Sequence, residues 1–211
     1  MTTNTEDVAR KMQRDVAEEF KKQTADHKMT VLHDDGLYRH LRFRTPKHGF
    51  YWFDLITWPG TLAFRGDMDG HMFTRVTDMF EFFRDNGQGI NPHYWSEKVE
   101  GGRDETRSFS QEKFKQCVIE QFVEAVRYGN APRGLGKAVR EEILDDPETY
   151  YEQGAHAAID SFEYKGFRFS DWWELDFREF DWQFLWACHA IQWGIAQYDA
   201  KRAGETSGAA A

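Results

Sequence analysis

Cysteine is scarce in this chain. Cys117 and Cys188 are the only two in 211 residues, and both fall in stretches of helical periodicity. A disulfide framework is therefore excluded, and reduced thiols are the expectation. There is no CxxC pair and no Cys/His spacing of a zinc site. No apolar run reaches the roughly 18 residues of a membrane-spanning helix, so no membrane association is expected. The first residues are polar and acidic, unlike a signal peptide. Positive charge is in deficit: 27 Lys and Arg against 36 Asp and Glu give a formal net charge of −9. That excludes nucleic-acid binding by the surface as a whole, which needs an excess of cations. It leaves room for a local basic patch, or for an acidic surface that meets a basic partner. Dinucleotide-binding, P-loop and helix-turn-helix spacings are absent, as are internal repeats. With no catalytic motif, a binding protein without a cofactor is expected ahead of an enzyme.

Aromatic residues are abundant, at 16% of the chain with eight Trp. This is ample core material and unlike a disordered composition. The densest stretch is Phe50-Tyr-Trp-Phe-Asp-Leu-Ile-Thr-Trp58, which reads as a well-buried strand stopped by Pro59-Gly60. Thr61–Gly66 reads as the next strand, Asp67-Met-Asp-Gly70 as a hairpin turn, and His71–Val76 as the return. Gly36–Arg44 precedes them. Its period-two alternation sets Leu37, Leu41 and Phe43, with Arg39 among them, against Tyr38, His40, Arg42 and Arg44. One face should be packed and the other wet or occupied. An antiparallel meander of about four strands follows.

Helical periods flank the sheet. Val8, Met12, Val16 and Phe20 mark an N-terminal helix behind a frayed Met1–Thr5. Thr77 is placed to cap a short helix from Asp78 to Arg84, and Ser108 with Gln111 to form a capping box. Leu135–Leu144 reads as a further short helix. Asp146-Pro147 opens another that reaches Ser161, and a long helix runs from Asp181. Gly87–Arg107 is the least regular segment, a long loop with room for a short helix over Pro92 to Val99. The fold expected is α+β: one domain over 1–203, sheet-rich across 31–76 and helical across 77–203, with a flexible tail at 204–211.

The segments Leu37-Tyr-Arg-His-Leu-Arg-Phe43, Tyr51-Trp-Phe-Asp-Leu-Ile-Thr-Trp-Pro-Gly60, Arg65-Gly-Asp-Met-Asp69 and Asp78-Met-Phe-Glu-Phe-Phe-Arg84 resemble an uncharacterised family of phage and prophage proteins. The resemblance covers roughly the first half of the chain. It implies a mobile-element accessory protein acting in the bacterial cytoplasm, and it carries no reaction with it. Family variants often place Gly directly after Gly-Asp-Met, where this chain has Asp69 and then Gly70.

Three surfaces are candidates for chemistry. The acidic–aromatic run from Asp171 to Asp181, with Asp171, Glu174, Asp176 and Glu179, and the loop residues His93, Tyr94 and Trp95 are expected to contact a partner. That partner would be a host protein or protein–nucleic-acid complex. The acids would occupy a basic groove meant for nucleic acid, as an anti-CRISPR or other anti-defence protein does. The wet sheet face, with Tyr38, His40, Arg42 and Arg44 and with Arg65 and Arg75 from neighbouring strands, is the alternative. It suits a nucleotide or single-stranded nucleic acid, unless helices cover it and pair its arginines. Asp67, Asp69 and His71 have metal-ligand types at alternate positions, set against the ordinary use of Asp and Gly in a turn. A Cys117–His189 dyad is conceivable on residue type alone.

Overall fold

The structure of the chain, a computed structural model, describes residues 3–209. The elements in order are α1 (Thr3–Thr24), β1 (Lys28–Asp35), β2 (Tyr38–Arg44), β3 (Phe53–Trp58), β4 (Thr61–Gly66), β5 (His71–Thr74), α2 (Met79–Phe83) and α3 (Pro92–Ser96). They continue with β6 (Arg107–Phe109), α4 (Gln111–Arg127), α5 (Leu135–Val139), α6 (Glu152–Ser161), β7 (Arg178–Phe180) and α7 (Trp182–Ala209). The class is α+β. Sequence patterning puts 1–203 in one body, whereas the contacts within the chain resolve two compact units. A sheet unit takes Asp7–Arg107 and Phe180–Ala211, and a helical unit takes Ser108–Glu179 together with the start of the chain. Strands β6 and β7 pair in a two-stranded sheet of their own.

The larger sheet is an antiparallel meander in the order β1-β2-β3-β4-β5. It has five strands where four or so were expected. The extra one, β1, escapes pattern reading because it has almost no apolar alternation: Met29 and Val31 alone turn partly inward, and a bulge between Val31 and His33 breaks the period. On the inner face, Leu41 and Phe43 of β2 lie with Phe53, Leu55, Leu62, Phe64 and Phe73 in one buried cluster. Val16 and Phe20 of α1, Met79, Phe80 and Phe83 of α2, and Phe184 to Tyr198 of α7 complete it. The Phe43 and Phe53 rings stack at 4.7 Å. Burying each such side chain contributes about 1.5–3 kcal/mol. Trp186 is wholly buried, and its Nε1–H donates to Gln23 Oε1 at 2.8 Å. Helix α7 lies so close to the sheet at Gly194 that a Cβ there would come within 2.8 Å of Leu55 Cδ1.

Arg39 is the charged residue on the packed face, and Asp78 neutralises it with two bonds, Nη1 to Oδ1 at 2.8 Å and Nη2 to Oδ2 at 3.0 Å. Asp78 also accepts the Phe80 N–H at 3.0 Å. It is therefore Asp78, not Thr77, that caps α2. The segment after α2 is more ordered than its glycines suggest. Asn91 caps α3, and Lys98–Glu100 bonds along β5, with Thr74 N–H donating to Lys98 O at 2.9 Å and Glu100 N–H to Met72 O at 2.8 Å. That pairing covers an edge that would otherwise be open.

The helical unit has its own core, with Phe114 and Val118 of α4, Leu135 and Ile143, Ile159 of α6, and Phe162, Phe169 and Phe177. Helix α4 is capped by Ser110 rather than Ser108, which lies in β6. Asp146 caps as expected, but Pro147–Tyr150 is a single 3-10 turn and α6 starts only at Glu152. The tail expected at 204–211 is instead helical as far as Ala209, since no proline stops it; residues 210–211 lie outside the described residues. Helix α1 begins at Thr3, inside the stretch expected to fray, and Met1 and Thr2 also lie outside the described residues. No helix among the described residues is long and apolar enough to cross a membrane.

Candidate functional site: the outer face of the sheet

The register of the sheet fixes which side chains share its outer face. Lys28 of β1 lies opposite Arg44 of β2. One row along, Thr30, Arg42, Asp54 and Arg65 line up across four strands. The next row holds His33, His40, Ile56, Ala63 and Met72. Thr61 of β4 lies between Trp58 and Thr74 in the row after that. Basic residues thus collect at one end of the face, and apolar and aromatic ones toward the other. The face is open: Tyr38 is 55% exposed and Met72 37%, and Lys28, Arg44 and Arg65 are all exposed. The alternatives for its arginines resolve in an unexpected way. Among the described residues no helix pairs Arg42 or Arg65; the sheet supplies its own partner.

That partner is Asp54, whose side chain is 0% exposed. Arg42 grips it side-on, Nε to Oδ1 at 2.8 Å and Nη2 to Oδ2 at 2.9 Å, and His40 Nε2 lies 3.0 Å from Oδ2. Arg65 Nε stands off at 3.9 Å. Burial alone would raise the pKa of this carboxyl. The hydrogen bonds and charges of Arg42 and His40 outweigh that and hold it below the ordinary carboxylate range. A guanidinium held by Nε and one Nη still directs its other Nη outward, so Arg42 is oriented in advance for a second anion.

Trp52 lies beside this cluster, with the Arg42 and Arg65 guanidinium carbons 5.4 and 5.5 Å from its ring. A strained turn puts it there. Tyr51 has φ 61°, a left-handed conformation that costs a non-glycine residue about 1 kcal/mol or more. Asp67 holds that turn from both sides: it accepts the Tyr51 N–H at 2.8 Å and donates its own N–H to Trp52 O at 2.9 Å. Gly66 is required next to it, because a Cβ would come within 2.2 Å of Trp52 O.

Five cations, Lys28, Arg42, Arg44, Lys47 and Arg65, stand in this region against Asp54, Asp67 and Asp26, which pairs with Lys47 at 2.7 Å. Lys28, Arg44 and Arg65 have no hydrogen-bonded carboxylate among the described residues. Facing Lys28 with Arg44 directly across two strands is unfavourable for the fold. The variant Lys28→Glu should therefore be more stable than the wild type by about 0.5–1 kcal/mol in urea unfolding, as a like-charge pair becomes an ion pair. No gain in stability would mean that Lys28 and Arg44 do not repel.

The remaining candidates are dispersed. Arg75 is exposed beyond the end of β5, beside the Gly60 turn, and does not join Arg42 and Arg44. His71 turns inward among Phe64, Phe73 and Phe184, and burial lowers its pKa. Asp69 gives its N–H to Gln183, and Asp67 serves the Tyr51 turn. The hairpin alternation that aligns the three residues in sequence thus sends them to different partners, and no group of three or more His, Cys, Asp or Glu among the described residues is placed to hold a metal ion. Trp95 is not a partner-contacting loop residue. It is buried, with its ring 4.8 Å from that of Phe83, because α3 turns Pro92, Trp95 and Ser96 to the core. Tyr94 is 41% exposed, and His93 is exposed against Phe180. In the helical unit, Asp171, Glu174 and Asp176 are exposed, with Trp173 at 66%, while Glu179 is half-buried in β7. Cys117 lies in the helical unit and His189 in the sheet unit. Burial raises the thiol and takes the imidazole down to about 4, the wrong directions for a nucleophile and its base.

The strand patterns point to Arg42, Arg44 and Arg65, but not to Asp54, Trp52, Lys28 or the positioning role of Asp67. For Asp54 there was a signal: it is the one charged residue in the aromatic stretch Phe50–Trp58. A carboxylate in a buried strand requires a cation beside it. Comparison with protein-family models, with curated proteins and with solved structures finds no match to this chain.

Proposed function

We propose that this chain is a binding protein for single-stranded nucleic acid, with the outer face of the sheet as its platform. The observation that carries the reading is the Arg42–Asp54–Arg65 row with Trp52 against it: oriented guanidinium groups and an aromatic ring on an open antiparallel sheet, in a protein that is otherwise acidic. Phosphates would meet Arg42, Arg44, Arg65 and Lys28. Bases would stack on Trp52 and on the aromatic end of the face, where Tyr38 and Trp58 lie. Such stacking is worth about 1–3 kcal/mol per base and tolerates any sequence. An isolated basic end on a negatively charged body also orients the strand, because the rest of the surface repels it.

Fluorescence anisotropy with labelled single-stranded DNA and RNA tests this. Four phosphate contacts predict that log K falls against log salt with a slope of about −3, at about −0.7 per contact on a single strand. Saturable binding with that slope supports the reading. A flat titration with both oligonucleotides overturns it, and favours a second reading in which a phage-encoded chain occludes a basic groove of a host defence complex. The exposed turn of Asp171, Trp173 and Glu174 is the observation on that side.

A further inference from the structure

At the basic end of the sheet face, the link from β2 to β3 folds into a wall. Between it and the face is a pocket of about 480 Å³, lined by Arg42 and Arg44 from β2 and by Lys47, His48 and Trp52 from the link. The wall is fixed at several points. Lys47 Nζ bonds Asp26 at 2.7 Å, and its N–H donates to Thr45 Oγ1 at 3.2 Å. The Phe50 N–H donates to His48 Nδ1 at 3.3 Å. The Tyr51 N–H is held by Asp67. A pocket built this way exists before any ligand arrives, so little ordering cost falls on binding.

We propose that this pocket takes the terminal phosphate of a nucleic-acid strand, so that the protein recognises a phosphorylated strand end. The inference rests on the sheet-face reading above and narrows it. Two features separate an end from an internal linkage. The pocket is lined by the whole Thr45–Gly49 link as well as by β2, so a phosphate that ends there can be contacted from the link and the sheet together, whereas an internal phosphodiester must leave room for the chain on both sides. A phosphate monoester also carries about −1.5 to −2 at neutral pH, with three free oxygens, where a diester carries one charge. Arg42, Arg44 and Lys47 put three cations on one small pocket; Asp54 already orients the fork of Arg42, Asp26 holds Lys47, and Arg44 has no hydrogen-bonded carboxylate among the described residues. Arginine forks match phosphate oxygens two at a time. Trp52, at the end of the link beside Arg42, is placed to stack the first base.

The test compares oligonucleotides of one sequence carrying a 5′-phosphate, a 3′-phosphate or hydroxyls at both ends, titrated into the full chain. One of the phosphorylated strands is expected to bind about tenfold tighter than the hydroxyl strand, and which one it is sets the polarity of the strand on the sheet. In the variants Lys47→Ala and His48→Ala, both at exposed link positions, the ratio should fall to about 1. Arg44→Ala is a second route to the same loss should either link variant be misfolded by circular dichroism. Equal affinity for all three strands in the wild type overturns this inference and leaves the sheet-face reading standing. Failure of all three to bind removes that reading, and this one with it.

Discussion

Replacing Asp54 with alanine is expected to destabilise the sheet unit by about 3 kcal/mol, because it leaves the half-buried guanidinium of Arg42 without its anion and a hole where the buried carboxylate was. Removing one partner of a buried pair costs about 3–5 kcal/mol. The lower end applies here, since Asp54 is fully buried while the Arg42 side chain is 35% exposed and can recover some hydration. His40 loses its carboxylate in the same step, and Arg65 loses a more distant one. Urea unfolding followed by tryptophan fluorescence reads the effect, with Trp186 and Trp193 in or against this core. The pH dependence has a definite sign. The folded carboxyl titrates below its unfolded value of about 3.9. Its stabilisation is therefore complete above about pH 4 to 5 and is lost as the pH falls through the folded pKa. The gap in stability between wild type and Asp54→Asn should be constant near neutrality and should narrow below about pH 4. A gap that widened on acidification would mean that the carboxyl is not stabilised in its charged form.

The same residue shows how far the sequence could be read. The outer-face alternation of Tyr38, His40, Arg42 and Arg44 was legible because period two is enforced by the strand itself, and the structure keeps Leu41 and Phe43 on the opposite, packed side. Legibility failed where tertiary pairing decides. Strand β1 carries polar residues on both faces, and only its partner β2 makes it a strand. Arg65 could be assigned to the face only once β3 had been paired to β4 in a definite register, and Arg75 falls off the end of that register. A short helix after Asn91-Pro92 is compatible with the sequence, but which of its aromatics faces inward is not legible there: α3 turns Trp95 into the core and leaves Tyr94 exposed. Asp67 looked like a ligand or a turn residue. Its part in pinning Tyr51 and Trp52 joins positions 16 residues apart and has no local signature.

Reversing Arg44 and Arg65 together to glutamate is expected to weaken single-strand binding by about 100-fold or more near 0.1 M salt. One phosphate contact on a single strand contributes about 0.7 to the salt exponent, or about fivefold in affinity at that salt. Losing two contacts costs about 25-fold, and replacing cations with acids adds repulsion of similar size. The salt slope should fall from about −3 to about −1.4 or shallower, which a merely misfolded protein would not show. Folding itself should survive, because both side chains are exposed and Arg44→Glu sets an acid opposite Lys28 in place of a second cation. Stability and affinity are thus expected to move in opposite directions at Lys28 and Arg44. A fold under no demand to bind an anion has no physical reason to keep two cations opposed across β1 and β2. If the double reversal binds as well as the wild type, the outer face is not the platform, and the like-charge pair is left as an uncompensated cost of the sheet.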